Sequence, residues 1–335
     1  MVKTRICILG AGSIGCYLGG RLMQGGADVT LIGRARLAET LATQGLSVGQ
    51  FKEAPVSLGP VEVATSPDAL SGADVVGLCV KSQDTSEAAE QIAAFAPGAW
   101  VVSFQNGISN LETLRAALPE ARISGAVVPF NVTSPAPGHY HRGTDGDLVI
   151  GPDVPPCMRK GFVQSSVGFR VVDDVDAYLW AKLLVNLNNA LNALSGGPLR
   201  DGLVQRGYRR VLIAMIREGL AVAEAEGVDV ATYNGRHPLA LVQLMDKPDW
   251  LYRFLMDRIA KIDRTARSSM LDDLELERSP ELDHLQGEIV RRAARHGLCV
   301  PINERVMEAA QDAFSQKKTP RLSGAEMERL FFKQG

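Results

Sequence analysis

The sequence predicts an α/β domain built on a doubly wound parallel sheet, followed by an all-α domain. Two observations carry that expectation. Over roughly the first 130 residues, short apolar runs alternate with segments long enough for helices, the pattern of βαβ units. From about Asp176 the strand signal disappears and long helical patterns take over. The length of 335 residues agrees, since domains of roughly 100–200 residues make two the natural count. The expected division is 1–175 and 176–335.

The elements follow in order. Residues 4–9 (TRICIL) form a short apolar run, as a buried parallel strand does. GAGSIG follows, then a helical stretch to about Gln24 that Gly25-Gly26 ends. Asp28–Ile32 (DVTLI) is the second strand, and further apolar runs lie at 73–80, 99–104 and 123–130. The region 131–172 changes style, with PAPG, DLVIGP and VGFRVV, and is expected to form antiparallel strands joined by turns at the sheet's edge. The second domain shows helical patterns at 176–194, 203–226, 238–262, 280–296 and 302–316.

Composition excludes several classes. Hydrophobic residues make up 46% and charged residues 22%, so disordered and fibrous chains are out. Lys and Arg total 36 against 38 Asp and Glu, for a net charge of -2, without the basic excess of a nucleic-acid binder. No apolar run reaches the length of a bilayer-spanning helix. Lys3 and Arg5 precede an apolar stretch that loosely imitates a signal peptide, but glycines in a phosphate-loop pattern punctuate it. The five cysteines (Cys7, Cys16, Cys79, Cys157, Cys299) are scattered, which suits a reducing compartment. The chain is therefore read as cytoplasmic. His139 and His141 form an H-x-H without a third ligand in view, so no metal site is expected.

The glycine loop names a cofactor class. Gly10, Gly12 and Gly15 give G-x-G-x-x-G directly after a strand and opening a helix, in a Rossmann-like unit. The first glycine permits the tight turn and the second lets backbone approach a pyrophosphate. The third lets helix and strand pack closely, and the helix N-terminus faces the anion. Gly10, Gly12, Ser13, Ile14 and Gly15 are the candidate contacts. A site for NAD usually offers an acid near the end of the second strand for the ribose hydroxyl. Here that place reads Gly33-Arg34-Ala35-Arg36, with no carboxylate and a guanidinium available for a 2′-phosphate. NADPH is expected over NADH. Lys81 and Asn106 also end expected strands, on the edge where ligands of open α/β sheets bind, and are candidate cofactor contacts.

A polar stripe marks the helix at 176–194. At about 100° per residue, Lys182, Asn186 and Asn189 fall within roughly 60° on an otherwise apolar helix, which points to a lined cleft. Asn188 and Asn192 lie on another face and receive no role. At 279–281, Ser-Pro-Glu reads as a helix start with Ser279 as N-cap and Pro280 at N1, so the plain reading of Glu281 is a first-turn acid. Asp272, Asp273, Glu275 and Glu277 read as a solvated face.

Taken together these segments resemble the ketopantoate reductase (2-dehydropantoate 2-reductase) family nearly end to end. The resemblance rests on GAGSIG, Arg34, Lys81, QNG at 105–107, WAKLLVN at 180–186, SSMLDD at 268–273 and the Glu281 region. It implies a Rossmann domain followed by an all-α domain with the active site in the cleft. It also implies that Lys182 polarises the keto oxygen and supplies the proton, and that Glu281 anchors a substrate hydroxyl. Ser269 would bind the substrate carboxylate, Asn106 and Asn186 would position nicotinamide and substrate, and Arg34 and Lys81 would hold the cofactor. The physics agrees: hydride arriving at a ketone carbon builds negative charge on oxygen, which a fixed ammonium stabilises and then protonates. Two departures touch the substrate. Where the family repeats Asn four residues after Asn186 this chain has Ala190, with Asn189 as the substitute on the same face. Where the family often has Asn-Gly, it has Asp201-Gly202. The implied activity is NADPH-dependent reduction of a small 2-oxo acid, most simply ketopantoate to pantoate. The alternatives are another 2-oxo or hydroxy acid, or a non-catalytic NADP-binding sensor, which would not need Lys182 and Glu281 together. A homodimer is possible.

Overall fold

A computed structural model describes residues 4–50, 53–233, 235–259 and 266–332; Lys3 and the last residues of the helix expected at 238–262 lie outside them. The chain divides into two compact units, Met1–Asp176 and Ala177–Gly335.

The first unit contains β1 (Arg5–Leu9), α1 (Ser13–Gln24), β2 (Asp28–Ile32), α2 (Ala35–Gln44), β3 (Ser47–Gln50), β4 (Val56–Ser57), β5 (Val63–Ala64) and β6 (Val75–Leu78). It continues through α3 (Thr85–Phe95), β7 (Trp100–Ser103), α4 (Ser109–Ala117), β8 (Ile123–Val127), β9 (Val132–Ala136), β10 (His139–Arg142), β11 (Leu148–Ile150), α5 (Pro156–Gln164) and β12 (Phe169–Val171). Eight strands form one sheet in the order β12-β11-β8-β7-β6-β1-β2-β5. Strand β1 is central because Ile6, Cys7 and Ile8 are fully buried and can serve only a strand covered on both faces. It pairs in parallel with β2 on one side and β6 on the other, Ile6 facing both Val29 and Val75. The chain therefore leaves β1 first one way and then the other, and the crevice of such a sheet opens at the carboxyl end of that strand.

Two expectations for 131–172 need correction. Strands β9 and β10 form the expected antiparallel hairpin, but in a separate four-stranded sheet, β4-β3-β10-β9, where β10 runs parallel to β3. Strand β11 pairs antiparallel with β8, and β12 pairs in parallel with β11, so both run against the rest of the main sheet; a helix, α5, joins β11 to β12 in place of the expected turn. That helix was hidden by Arg159, Lys160 and Gly161 in its middle, yet Met158 and Phe162 bury its inner face. Gly161 meets α1 so closely that a Cβ at Gly25 would lie 2.1 Å from its carbonyl oxygen.

The second unit is helical: α6 (Val175–Asn186, which begins just before the unit boundary), α7 (Asn188–Ser195), α8 (Leu199–Leu203), α9 (Arg206–Ala225), α10 (Pro238–Met245) and α11 (Asp249–Ile259). Then come α12 (Ser269–Glu275), α13 (Gln286–Arg295), α14 (Pro301–Ser315) and α15 (Gly324–Phe332). Leu184, Leu187, Ile216, Ile289 and Val306 are fully buried in its core. Three helical expectations change. The helix at 176–194 breaks at Leu187 into α6 and α7. The pattern from 238 is two helices, parted before Pro248, whose ring disfavours helical backbone in the residue preceding it. The helix expected from Ser279 and Pro280 starts only at Gln286, after a single 3₁₀ turn at Leu282–His284.

Helix α13 is anchored by charge. Arg292, 2% exposed, donates to Glu288 Oε1 at 2.5 Å and to Glu226 Oε2 at 2.7 Å, and its guanidinium lies 5.7 Å from the Trp180 ring centroid. Glu218 caps α14, accepting from the backbone N–H of Ile302 and of Asn303, both at 2.9 Å.

Candidate functional site

The glycine loop is built from backbone. Gly10 takes a φ of 95°, the left-handed region, and its N–H donates to the Ile32 carbonyl at 3.1 Å. A Cβ there would sit 2.5 Å from the Val80 nitrogen, so the chain from β6 passes directly against it. A Cβ on Gly15 would lie 2.4 Å from the Gly10 oxygen, which is why the helix can close onto the strand only with glycine. Gly12 is different. It is exposed, and a Cβ on it would meet nothing within 4 Å. The requirement there is open space rather than packing. Ser13 is exposed and Ile14 half-buried at the start of α1, whose first turn has no acid and no side-chain cap. Its N–H groups are therefore available to an anion. These residues fit the pyrophosphate of a dinucleotide.

Arg34 is the exposed N-cap residue of α2, immediately after β2, and its side chain has no ion-pair partner among the described residues. Gly33 follows β2 so closely to the glycine loop that a Cβ on it would lie 3.1 Å from the Ala11 Cβ. Lys81 opens the 3₁₀ turn after β6 and Asn106 follows β7, both half-buried. The structure brings these last two loops together. Ser82 Oγ donates to the Asn106 carbonyl at 2.9 Å, and that carbonyl also accepts from the Asn110 side chain. Asn110 Nδ2 further reaches Ser82 Oγ at 3.1 Å, and Thr85 Oγ1 donates to Asn110 Oδ1 at 2.8 Å. Gln105 Nε2 donates to Thr85 Oγ1 at 2.8 Å and to the Val80 carbonyl at 3.2 Å. Gln105 and Asn110, which sequence reasoning gave no role, are the buried residues that fix where Lys81 and Asn106 stand. The signal in the sequence is the QNG turn itself, which contains Gln105 and ends three residues before Asn110.

In the second unit, Lys182 and Asn186 lie on α6 and Asn189 on α7, all half-buried among fully buried Leu183, Leu184 and Leu187. Burial pushes the Lys182 ammonium down from 10.5 to about 8, and the Glu281 carboxylate opposes that fall. The two residues lie 99 positions apart in the chain and are electrostatic neighbours. Glu281 does not sit in a helical first turn, as the sequence suggested; it precedes the 3₁₀ turn with φ −88° and ψ 29°. Ser279 caps no helix.

The serine pair divides its work. Ser268 is buried and is the N-cap of α12, its Oγ accepting from the Leu271 N–H at 3.2 Å and donating to the Asn189 carbonyl at 3.2 Å. Ser269, the candidate contact, is exposed at the first position of α12. Asn192, fully buried, accepts from the Ser268 N–H at 2.9 Å and donates to the Gly197 carbonyl at 2.8 Å. It was assigned no role in the sequence, and its position on the face away from Lys182 is what lets it hold this loop. Asn188 likewise accepts from the Tyr208 hydroxyl at 2.7 Å. The acidic stretch is only partly a solvated face. Asp272 and Glu275 pair with Arg267, Glu277 pairs with Lys317, and Asp273 is buried. Ala190 is fully buried and Asp201 exposed. Among the described residues no cluster of His, Cys, Asp or Glu could hold a metal ion, and no helix is long and apolar enough to cross a membrane.

Comparison with known proteins joins both units. The family model described as ketopantoate reductase PanE/ApbA matches residues 6–154, and its C-terminal counterpart matches 174–313. The chain is 29% identical over 314 residues to the 2-dehydropantoate 2-reductase of Halobacterium salinarum, covering 89% of this chain and 95% of that protein. The crystal structure of a PanE/ApbA family ketopantoate reductase from Ralstonia eutropha JMP134 superposes with a TM-score of 0.80 at 32% identity, covering 93% of this chain and 99% of that one. That of 2-dehydropantoate 2-reductase from Geobacter metallireducens gives 0.77 at 27%, covering 92% and 99%.

Proposed function

The chain belongs to the ketopantoate reductase PanE/ApbA family, a family of pyridine-nucleotide oxidoreductases, and on that premise we propose that it reduces a 2-oxo acid with NADPH, with Lys182 as proton donor. The simplest substrate is 2-dehydropantoate, giving pantoate. The observation that carries the reading is the Lys182–Glu281 neighbourhood: an ammonium whose pKa burial lowers to about 8 is charged at neutral pH yet gives up its proton readily.

A reduced dinucleotide held by the glycine loop would supply a hydride to the keto carbon. The π electrons of the carbonyl pass to oxygen, where the Lys182 ammonium stabilises the growing charge and donates its proton, leaving a neutral amine that solvent reprotonates. Glu281 keeps Lys182 protonated and accepts a hydrogen bond from a substrate hydroxyl. Ser269 at the start of α12 meets the substrate carboxylate, and Asn186 and Asn189 position the substrate. In the first unit, Gly10, Gly12, Ser13, Ile14 and Gly15 hold the pyrophosphate. Arg34 binds the 2′-phosphate, since no carboxylate follows β2 to take a free ribose hydroxyl. Lys81 and Asn106 complete the cofactor contacts. The free cysteines support a reducing, cytoplasmic setting.

A second reading keeps the chemistry and changes the substrate. It is favoured by Ala190, fully buried where an asparagine is expected, so that the polar contact falls to Asn189 alone. Oxidation of NADPH against a panel of 2-oxo acids separates the two. Saturable turnover of 2-dehydropantoate supports the first, preference for a differently branched acid supports the second, and inactivity on every 2-oxo acid rejects both in favour of a sensor.

A further inference from the structure

One buried side chain ties the helix that carries Lys182 to the turn that carries Glu281. Helices α6 and α7 are parted by the single residue Leu187, which keeps helical angles, φ −54° and ψ −27°. The Leu187 N–H still bonds the Leu183 carbonyl at 3.0 Å, closing α6. The Leu187 carbonyl accepts from Gln286 Nε2 at 2.8 Å, and both residues are fully buried. Gln286 opens α13, directly after the tight turn that Glu281 begins. In that turn the His284 N–H bonds the Glu281 carbonyl at 3.1 Å and the Leu285 N–H bonds the Leu282 carbonyl at 3.2 Å. Glu281 therefore stands at one end of a stiff five-residue step and Gln286 at the other. Leu187 stands five residues beyond Lys182 and one beyond Asn186.

We propose that Gln286 is a positioning residue: its bond to the Leu187 carbonyl sets the register between the Lys182 and Asn186 face of α6 and the turn that presents Glu281. The proposal rests on the reading of Lys182 as proton donor. Nothing in it requires Gln286 to touch substrate, and its buried Oε1 makes no hydrogen bond. The amide is there for the hydrogen bond it donates to Leu187, and an isosteric side chain without an N–H would fill the same space while releasing the register.

The test is a double-mutant cycle on the intact enzyme. Gln286→Met keeps the volume and removes the donor. The expected result is an unchanged KM for NADPH and a kcat lowered by up to about 10²-fold, the cost of a misplacement on the order of an ångström at a reacting centre. Combined with Glu281→Gln, the losses should overlap rather than multiply, because both act through the same pair. A kcat near that of the parent, or losses that multiply, would overturn the proposal. If the Met variant does not fold, Gln286→Asn is measured in its place. It keeps the donor on a side chain one methylene shorter, and the same overlap with Glu281→Gln is expected. Lys182→Ala, measured alongside, separates this inference from the reading beneath it: turnover retained without Lys182 rejects the proton-donor role itself, whereas turnover lost there with Gln286 variants unaffected rejects only the positioning role.

Discussion

The glycine loop of the first unit and the Lys182 region of the second solve the same problem in opposite ways. The loop is made of backbone within six consecutive residues, Gly10 to Gly15, and it requires absent Cβ atoms and, at Gly10, a left-handed backbone. The Lys182 region draws on α6, α7, α12 and the turn at Glu281, and buried amides hold these pieces in place: Asn192 grips Ser268, and Gln286 grips Leu187. A site of the first kind fails when space is filled. One of the second kind fails when a distant partner is removed, even though that partner touches no ligand.

The largest expected effect is at Lys182, the proposed acid. Lys182→Ala should lower kcat by about 10²–10⁴-fold, the usual worth of a positioned acid, with NADPH affinity nearly unchanged. Lys182→Arg should restore little, because a guanidinium holds its proton too tightly to donate. Steady-state kinetics on the best substrate measure both, and near-normal turnover in the alanine variant would reduce the stripe to a solvated helix face.

The first unit answers with affinity rather than turnover. Arg34→Ala should weaken NADPH by about 10-fold to 100-fold and leave NADH little changed, the worth of one or two charge-assisted hydrogen bonds. Calorimetry on both dinucleotides reads the gap, and equal affinities in the parent protein would reject the assignment. Gly12→Ala sharpens the contrast further. Its Cβ meets nothing in the protein, so thermal stability should stay within about 0.5 kcal/mol while dinucleotide binding falls. A change in melting temperature without a change in affinity would show that Gly12 serves packing.

The pH profile follows from Lys182. Its folded pKa is lowered to about 8, so the reductive kcat should be constant below that value and fall as pH rises through it, as the donor loses its proton. Glu281 raises that pKa, so Glu281→Gln should move the alkaline limb to lower pH. A limb that stays in place would detach Glu281 from the ammonium. Asn192→Ala acts on the scaffold, because it leaves the Ser268 N–H and the Gly197 carbonyl without this side-chain partner. It should cost about 1–3 kcal/mol in denaturant unfolding and raise the substrate KM more than it lowers kcat.

Much of this was legible in the chain before it folded, and the division follows the range of the contacts. The succession of β1, α1 and β2, the glycine loop and the missing acid after β2 are local features. Strand burial shows in a run of apolar residues, a tight turn shows in its glycines, and the pairing of Lys182 with Asn186 shows in a four-residue step. Tertiary structure decided the rest. Strands β3 and β4 are four and two residues long, too short for alternation to register, so the second sheet was invisible until β10 returned to pair with β3. The side-chain partner of the Leu187 carbonyl is Gln286, 99 residues later, and that of the Ser268 N–H is Asn192, 76 residues earlier. Periodicity records which face of an element is buried. It carries no record of which polar group will be buried against it, because that partner is chosen by where the chain comes back, and an unpaired buried amide or carbonyl costs enough to make the choice binding.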